Sequence, residues 1–143
     1  MIRPFRESDL FAVMQLWLET NVQAHTFIAP CYWSGHYDPV KKLLPQAETY
    51  IYESDATRRI EGFIGLTEEY IDGCFVKESA QGKGIGKQLL DHAKSTRDTL
   101  SLRVYAKNTR AVRFYQREGF AVQEEATDNG TGETELIMVW NRA

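Results

Sequence analysis

The chain has 143 residues, 43% of them hydrophobic and 26% charged, with a formal net charge of −3. That size and balance suit one globular domain over residues 1–143, and the slight negative charge gives no global basic field to draw nucleic acid or an anionic membrane. Cys31 and Cys74 form neither a C-x-x-C pair nor an even framework, no apolar h-region marks the start, and no apolar run reaches the roughly 20 residues of a membrane span, so the expectation is a cytoplasmic protein with reduced thiols.

Ile2 to Phe5 reads as a short edge strand. Ser8 or Asp9 can cap a helix. The helix follows with Leu10, Val13, Met14 and Trp17 at i, i+3, i+4 and i+7, and is expected to end near Thr20 or Asn21. Residues 22–38 are aromatic and read as irregular. Pro39 is placed to open a short helix through about Gln46. Thr49–Glu53 reads as a strand and Ser54–Arg59 as a turn. Ile60–Glu68 and Tyr70–Val76 read as two more strands, joined tightly near Glu69. A helix from about Gly84 to Arg97 carries Ile85, Leu89, Leu90 and Ala93 on its inner face. Leu100–Tyr105 alternates as a strand. Asn108–Glu118 reads as a helix with Ala111 and Phe114 inward, and Gly119 is placed to stop it in a left-handed C-cap. Phe120–Ala126 and Glu133–Trp140 form two strands around a turn at Asp128–Gly132. This order implies an α/β (α+β) fold with a mixed sheet of about seven strands and helices on both faces.

The strongest chemical signal is Gln81-Gly82-Lys83-Gly84-Ile85-Gly86, between a strand and an amphipathic helix. A glycine-rich turn that opens a helix presents free N–H groups and the positive end of the helix dipole, which together suit a phosphate. Gly82, Gly84 and Gly86 admit a diphosphate without a Cβ clash, and Lys83 and Lys87 add charge. Taken alone, the run is weak evidence, because a ligand-free tight turn between strand and helix is the alternative reading. A Walker loop fits poorly, because Gly86-Lys87 is followed by Gln88. A dinucleotide loop also fits poorly, because G-x-G-x-G lies late in the chain.

About 25 residues downstream stands Asn108-Thr109-Arg110-Ala111-Val112-Arg113-Phe114-Tyr115, followed by Gly119-Phe120. With this segment the chain resembles the GNAT superfamily of acetyl-CoA-dependent N-acetyltransferases. Q-G-K-G-I-G is similar to that family's pyrophosphate loop, and N-T-R-A-V-R-F-Y-Q-R-E-G-F to its N-x-x-A-x-x-F-Y-x-x-x-G-F segment. One departure is Glu78, where many relatives carry proline. The resemblance spans nearly the whole chain and implies a mostly antiparallel sheet splayed at its central strands. The donor it implies is acetyl-CoA, with no metal.

The resemblance also assigns roles. Cys74, Phe75 and Val76 would bind the pantetheine arm through their backbone, with the Val76 amide polarising the thioester carbonyl. Residues 81–86 would hold the pyrophosphate, with Lys87 beside them in the cofactor site. Asn108, with Ala111 beside it, would meet the pantetheine arm, while Lys107, Arg110 and Arg113 are either 3′-phosphate contacts or a solvated face. Tyr115 resembles the general acid. A phenol with a pKa of about 10 stays protonated at neutral pH and can protonate the departing thiolate. Glu68, Glu69 and Asp72 are candidate bases for the acceptor ammonium, and His25 has a suitable pKa. The loop with His25, Phe27, Tyr32 and Trp33 would shape the acceptor pocket, and its H-x-F-I-x-x-x-Y-W pattern is similar to a bacterial branch that includes protein-lysine acetyltransferases. The implied reaction is direct attack by a protein lysine, an N-terminus or a small amine in a ternary complex, carried out by a monomer or homodimer. An acyl-enzyme on Cys74 is the lesser route. Two other classes compete: a sensor that binds acetyl-CoA without transferring it, and a nucleotide-phosphate protein unrelated to coenzyme A.

Overall fold

The computed structural model describes all residues, 1–143. The chain runs β1 (Ile2–Pro4), α1 (Leu10–Ala24), α2 (Pro30–Gly35), α3 (Tyr37–Leu43), β2 (Glu48–Glu53), β3 (Ile60–Thr67) and β4 (Tyr70–Val76). It continues with α4 (Ile85–Lys94), β5 (Thr99–Tyr105), α5 (Thr109–Arg117), β6 (Ala121–Thr127) and β7 (Thr134–Asn141). The seven strands form one sheet in the order β1-β2-β3-β4-β5-β7-β6. Every neighbouring pair is antiparallel except β4 and β5.

That parallel pair organises the molecule. Only Tyr70 and Ser101 are in register, supported by the Ser101 N–H donating to the Glu69 carbonyl at 2.9 Å. Beyond this point the strands diverge. The β3–β4 ladder shifts register where Gly65 pairs with Gly73 and Leu66 with Ile71, so Asp72 is the extra residue of a bulge.

Two apolar clusters sandwich the sheet. Under α4 and α5 lie Ile64, Leu66, Leu89, Leu90, Leu100, Leu102, Tyr115 and Met138. Under α1, α2 and α3 lie Val13, Met14, Trp17, Trp33, Ile51, Phe63 and Tyr105. On β5, Leu102 and Val104 face the first cluster and Tyr105 the second, the period-two alternation of a strand covered on both sides. No helix is long and apolar enough to cross a membrane.

Several boundaries differ from expectation for physical reasons. Helix α1 runs to Ala24, not Thr20 or Asn21. Thr20 Oγ1 donates to Leu16 O at 2.6 Å and Asn21 Nδ2 to Trp17 O at 2.9 Å, so these polar side chains are satisfied by the helix itself. Asp9 does not cap α1 with its side chain. It instead accepts from the Arg6 N–H at 2.8 Å, closing the 3-10 turn Glu7–Asp9. Residues 22–38 are not irregular. Pro30 opens α2 at a position where no N–H is needed, and α3 starts at Tyr37 with Pro39 in its first turn. Helix α4 stops at Lys94, short of Arg97, where the Ser95 and Thr96 hydroxyls take up the carbonyls of His92 and Ala93. Gly119 does hold φ +93°, and Phe120 N–H donates back to Tyr115 O at 2.9 Å.

Candidate active site

Where β4 and β5 part, a cleft of about 610 Å³ passes through the sheet. On one face it is bounded by the turn before α4 and by α5. On the other it is bounded by α1, α2 and the polar ends of β4, β5 and β7. Cys74, Phe75 and Val76 line it from β4. Lys77 N–H donates to Glu61 O on β3 at 2.8 Å, so the preceding Val76 N–H points the other way, into the gap. Val76 O accepts from Gln81 Nε2 at 3.0 Å, which ties the glycine-rich turn to the strand.

That turn fits a diphosphate. Gly82 and Gly84 hold φ of +81° and +80°, and a Cβ at either would meet nothing within 4 Å, so open space stands before the backbone. The first N–H groups of α4, at Ile85, Gly86 and Lys87, have no intrahelical acceptor and face the same cleft. Lys87 lines the cleft but is paired with Glu118 at 3.2 Å and Asp91 at 3.3 Å, and Lys83 lies outside the lining. Of the basic residues on and before α5, Arg110 and Arg117 line the cleft. Lys107 is paired with Glu133 at 3.0 Å, and Arg113 is outside the lining.

Asn108 caps α5, its side chain accepting from the Ala111 N–H at 3.3 Å. Its Nδ2 stands 3.3 Å from His25 Nε2, while His25 Nδ1 is 2.9 Å from Asn21 O. A carbonyl can only accept, so Nδ1 carries the proton and Nε2 accepts from Asn108. His25 stacks on Trp33 with ring centroids 5.1 Å apart, and burial holds its pKa below the ordinary value. It is therefore a neutral, buried link between α1 and α5. Trp33 also lines the cleft and carries the one buried side-chain polar atom without a partner, its indole N–H. Phe27 and Tyr32 lie outside the lining. Phe27 packs against His25 and Tyr105, and Tyr32 packs against Trp33 and the β6–β7 turn at Gly130.

Glu68 and Glu69 sit at the exposed tip of the β3–β4 hairpin, outside the cleft, and Glu68 has φ +55°. The carboxylates inside are Asp72, Glu118 and Glu135, and Arg103 joins them. The bulge turns Asp72 to the α1 face, where it accepts from Thr67 Oγ1 at 2.6 Å. Alternation could have flagged Arg103. Nothing local could have brought Glu135 to Tyr105, because β7 inserts between β5 and β6.

The chain matches the acetyltransferase (GNAT) domain family over residues 45–122. It is 34% identical to the peptidyl-lysine N-acetyltransferase YiaC of Escherichia coli, over 98% of this chain and 96% of that protein. The chain belongs to the GNAT acetyltransferase family. It is an N-acetyltransferase, and its acetyl donor is acetyl-CoA. The solution structure of apo YjaB from Escherichia coli superposes with a TM-score of 0.87 at 26% identity, covering 100% of this chain and 98% of that one. The PaiA N-acetyltransferase of Thermoplasma acidophilum, in complex with coenzyme A, shares the fold with a TM-score of 0.83 at 21% identity, covering 99% and 98%.

Within this GNAT cleft, Tyr115 is buried from the α5 side. Burial, then the neighbouring Cys74 and Tyr70, hold its phenol above the ordinary value, so the proton stays on oxygen. Burial also pushes the Cys74 thiol up to about 12. No group of three or more His, Cys, Asp or Glu side chains is placed to hold a metal ion.

Proposed function

We propose that residues 1–143 act as one transferase domain that moves the acetyl group of acetyl-CoA to the side-chain amine of a protein lysine, by direct attack in a ternary complex. The observation that carries this reading is the cleft through the sheet, which joins a phosphate-shaped turn on one face to an aromatic and acidic mouth on the other. Two substrates can then meet from opposite sides, with neither leaving before the other binds.

The residues divide the work. The turn at Gly82–Gly86 and the start of α4 hold the pyrophosphate through N–H groups, and Arg110 and Arg117 are the cations placed for an outlying phosphate. The Val76 N–H, facing the gap, stabilises negative charge developing on the thioester oxygen. Tyr115 gives its proton to the departing thiolate. A thiol with pKa near 12 is a poor nucleophile at neutral pH, which favours direct attack over an acyl-enzyme on Cys74. The lysine acceptor is supported by the peptidyl-lysine activity in the names of YiaC and YjaB. Free Cys31 and Cys74 are consistent with the cytoplasm.

The test is thiol release from acetyl-CoA with blocked lysine peptides, for the wild-type protein and Tyr115→Phe. The expected result is a loss of kcat of about 100-fold or more in the variant, with the KM for acetyl-CoA unchanged. Equal kcat in both would remove Tyr115 from the chemistry, and a peptide-independent rate would remove the lysine acceptor.

A further inference from the structure

The α1-side mouth of the cleft holds a charged group that the reaction scheme above leaves unused. Glu135, the second residue of β7, stands directly opposite Tyr105 of β5, on the same sheet face. Its side chain is 16% exposed, yet its one ionic partner, Arg103 Nη1, stands 3.7 Å away, too far for a hydrogen bond. The neighbouring carboxylates are better satisfied. Asp128 accepts from Tyr105 Oη at 2.6 Å, Thr131 Oγ1 at 3.0 Å and Gly130 N–H at 3.1 Å. Asp72 accepts from Thr67 at 2.6 Å. Glu135 is thus the least satisfied anion of the mouth, in a neighbourhood of three carboxylates against one guanidinium. Its oxygens keep some access to solvent but have exchanged little of the water lost on burial for protein donors, which is the condition a bound cation relieves. Arg103 is 48% exposed and free to swing away. Trp33, Tyr105 and His25 pack together beside this group, an apolar wall suited to the methylenes of an amine's stem.

We propose that Glu135 is the docking carboxylate for the acceptor's ammonium group, with Arg103 its resident counter-ion until the acceptor displaces it. This rests on the reading that the acceptor enters from the α1 side. It does not require that the acceptor be a protein lysine, since any primary ammonium on an aliphatic stem meets the same groups. The groups facing Glu135 are Arg103 and Tyr105 of β5, Tyr70 of β4, Asp128 of the β6–β7 turn and Tyr32 of α2, and Asp72 of β4 lies next along, beside Tyr70. Burial and then Asp128 hold the Glu135 carboxyl above its usual range, opposed by Arg103. A bound ammonium would relieve that cost.

The experiment compares wild-type protein, Glu135→Gln and Arg103→Gln, using a tripeptide with a blocked N-terminus and a central lysine, and spermidine as a small-amine probe. Glu135→Gln is nearly isosteric and is expected to raise the acceptor KM about 10- to 100-fold, the loss of one charge-assisted contact, while the acetyl-CoA KM stays within about twofold. Arg103→Gln is expected to move the acceptor KM the other way, because it frees Glu135. A structural role for the pair would move both variants in one direction and lower both melting temperatures. Unchanged acceptor KM in Glu135→Gln, or a rise in both variants, overturns the proposal. If only spermidine is acetylated, the lysine reading falls and the spermidine KM decides the role of Glu135. If wild-type protein acetylates neither probe, the docking proposal falls with the reading beneath it.

Discussion

Replacing Asn108 with alanine removes two bonds at a joint between the two faces of the molecule. The first is the cap on α5, the helix that carries Tyr115, where Asn108 accepts from the Ala111 N–H. Loss of such a cap costs about 1 kcal/mol. The second is the donation from Nδ2 to His25 Nε2, and its loss leaves a buried acceptor on a ring that is 8% exposed. An unsatisfied buried acceptor adds about 1–2 kcal/mol. The sum, about 2–3 kcal/mol, corresponds to a fall in melting temperature of roughly 4–10 °C for a chain of this size. The assay is thermal unfolding by circular dichroism, alongside the KM for acetyl-CoA. Because both side-chain ends of Asn108 are engaged within the protein, the melting temperature is expected to fall more clearly than affinity for the donor. A melting temperature within 1 °C of wild type, with a tenfold weaker donor KM, would refute this reasoning and make the amide primarily a ligand contact.

Three further outcomes concern acid stability and thiol chemistry. His25 is held neutral by burial, so the unfolded chain takes up a proton that the folded chain refuses, and stability is expected to decline as pH falls below about 6.5. Asp9 acts lower. Hydrogen bonds from Arg3 at 2.8 and 3.0 Å hold its carboxyl below the usual range, so its contribution is complete above about pH 5 and is lost as pH falls through 4 and beneath. Urea titrations between pH 3.5 and 8 check both: a flat profile from pH 7 to 5 contradicts the first, and an Asp9→Asn variant with unchanged acid response contradicts the second. Iodoacetamide at pH 8 is expected to label exposed Cys31 and spare Cys74 in the native protein, with both labelled in urea. Mass spectrometry of tryptic peptides reads the result, and rapid native labelling of Cys74 would reopen the acyl-enzyme route.

Much of this architecture was legible because it is local. The strands from β2 to β4, the turn at 81–86 and the cap at Gly119 follow from alternation, glycine spacing and helix chemistry, which act over a few residues. The unread parts are non-local. Aromatic residues between Val22 and Tyr37 obey no period because three of them, Trp33, Phe27 and Tyr32, pack on different partners from within one short stretch. Glu68 and Glu69 sit where a regular hairpin puts the nearest acids, whereas the bulge at Asp72 re-aims a side chain that simple alternation cannot track. Arg103 and Glu135 are 32 residues apart and meet only because the last strand inserts beside β5.

The single rung between β4 and β5 also gives the protein a mechanical character. Strands β1 to β4 and strands β5 to β7 are each closed by long antiparallel ladders, but across the seam they share one residue pair. A ligand laid along Cys74–Val76 would act as a suture, supplying the edge that the second half-sheet does not. The donor would then be part of the framework against which the acceptor mouth is set. Such an enzyme is stiff only when loaded, so amide exchange along β4 and β5 would slow when donor binds, before any acceptor arrives.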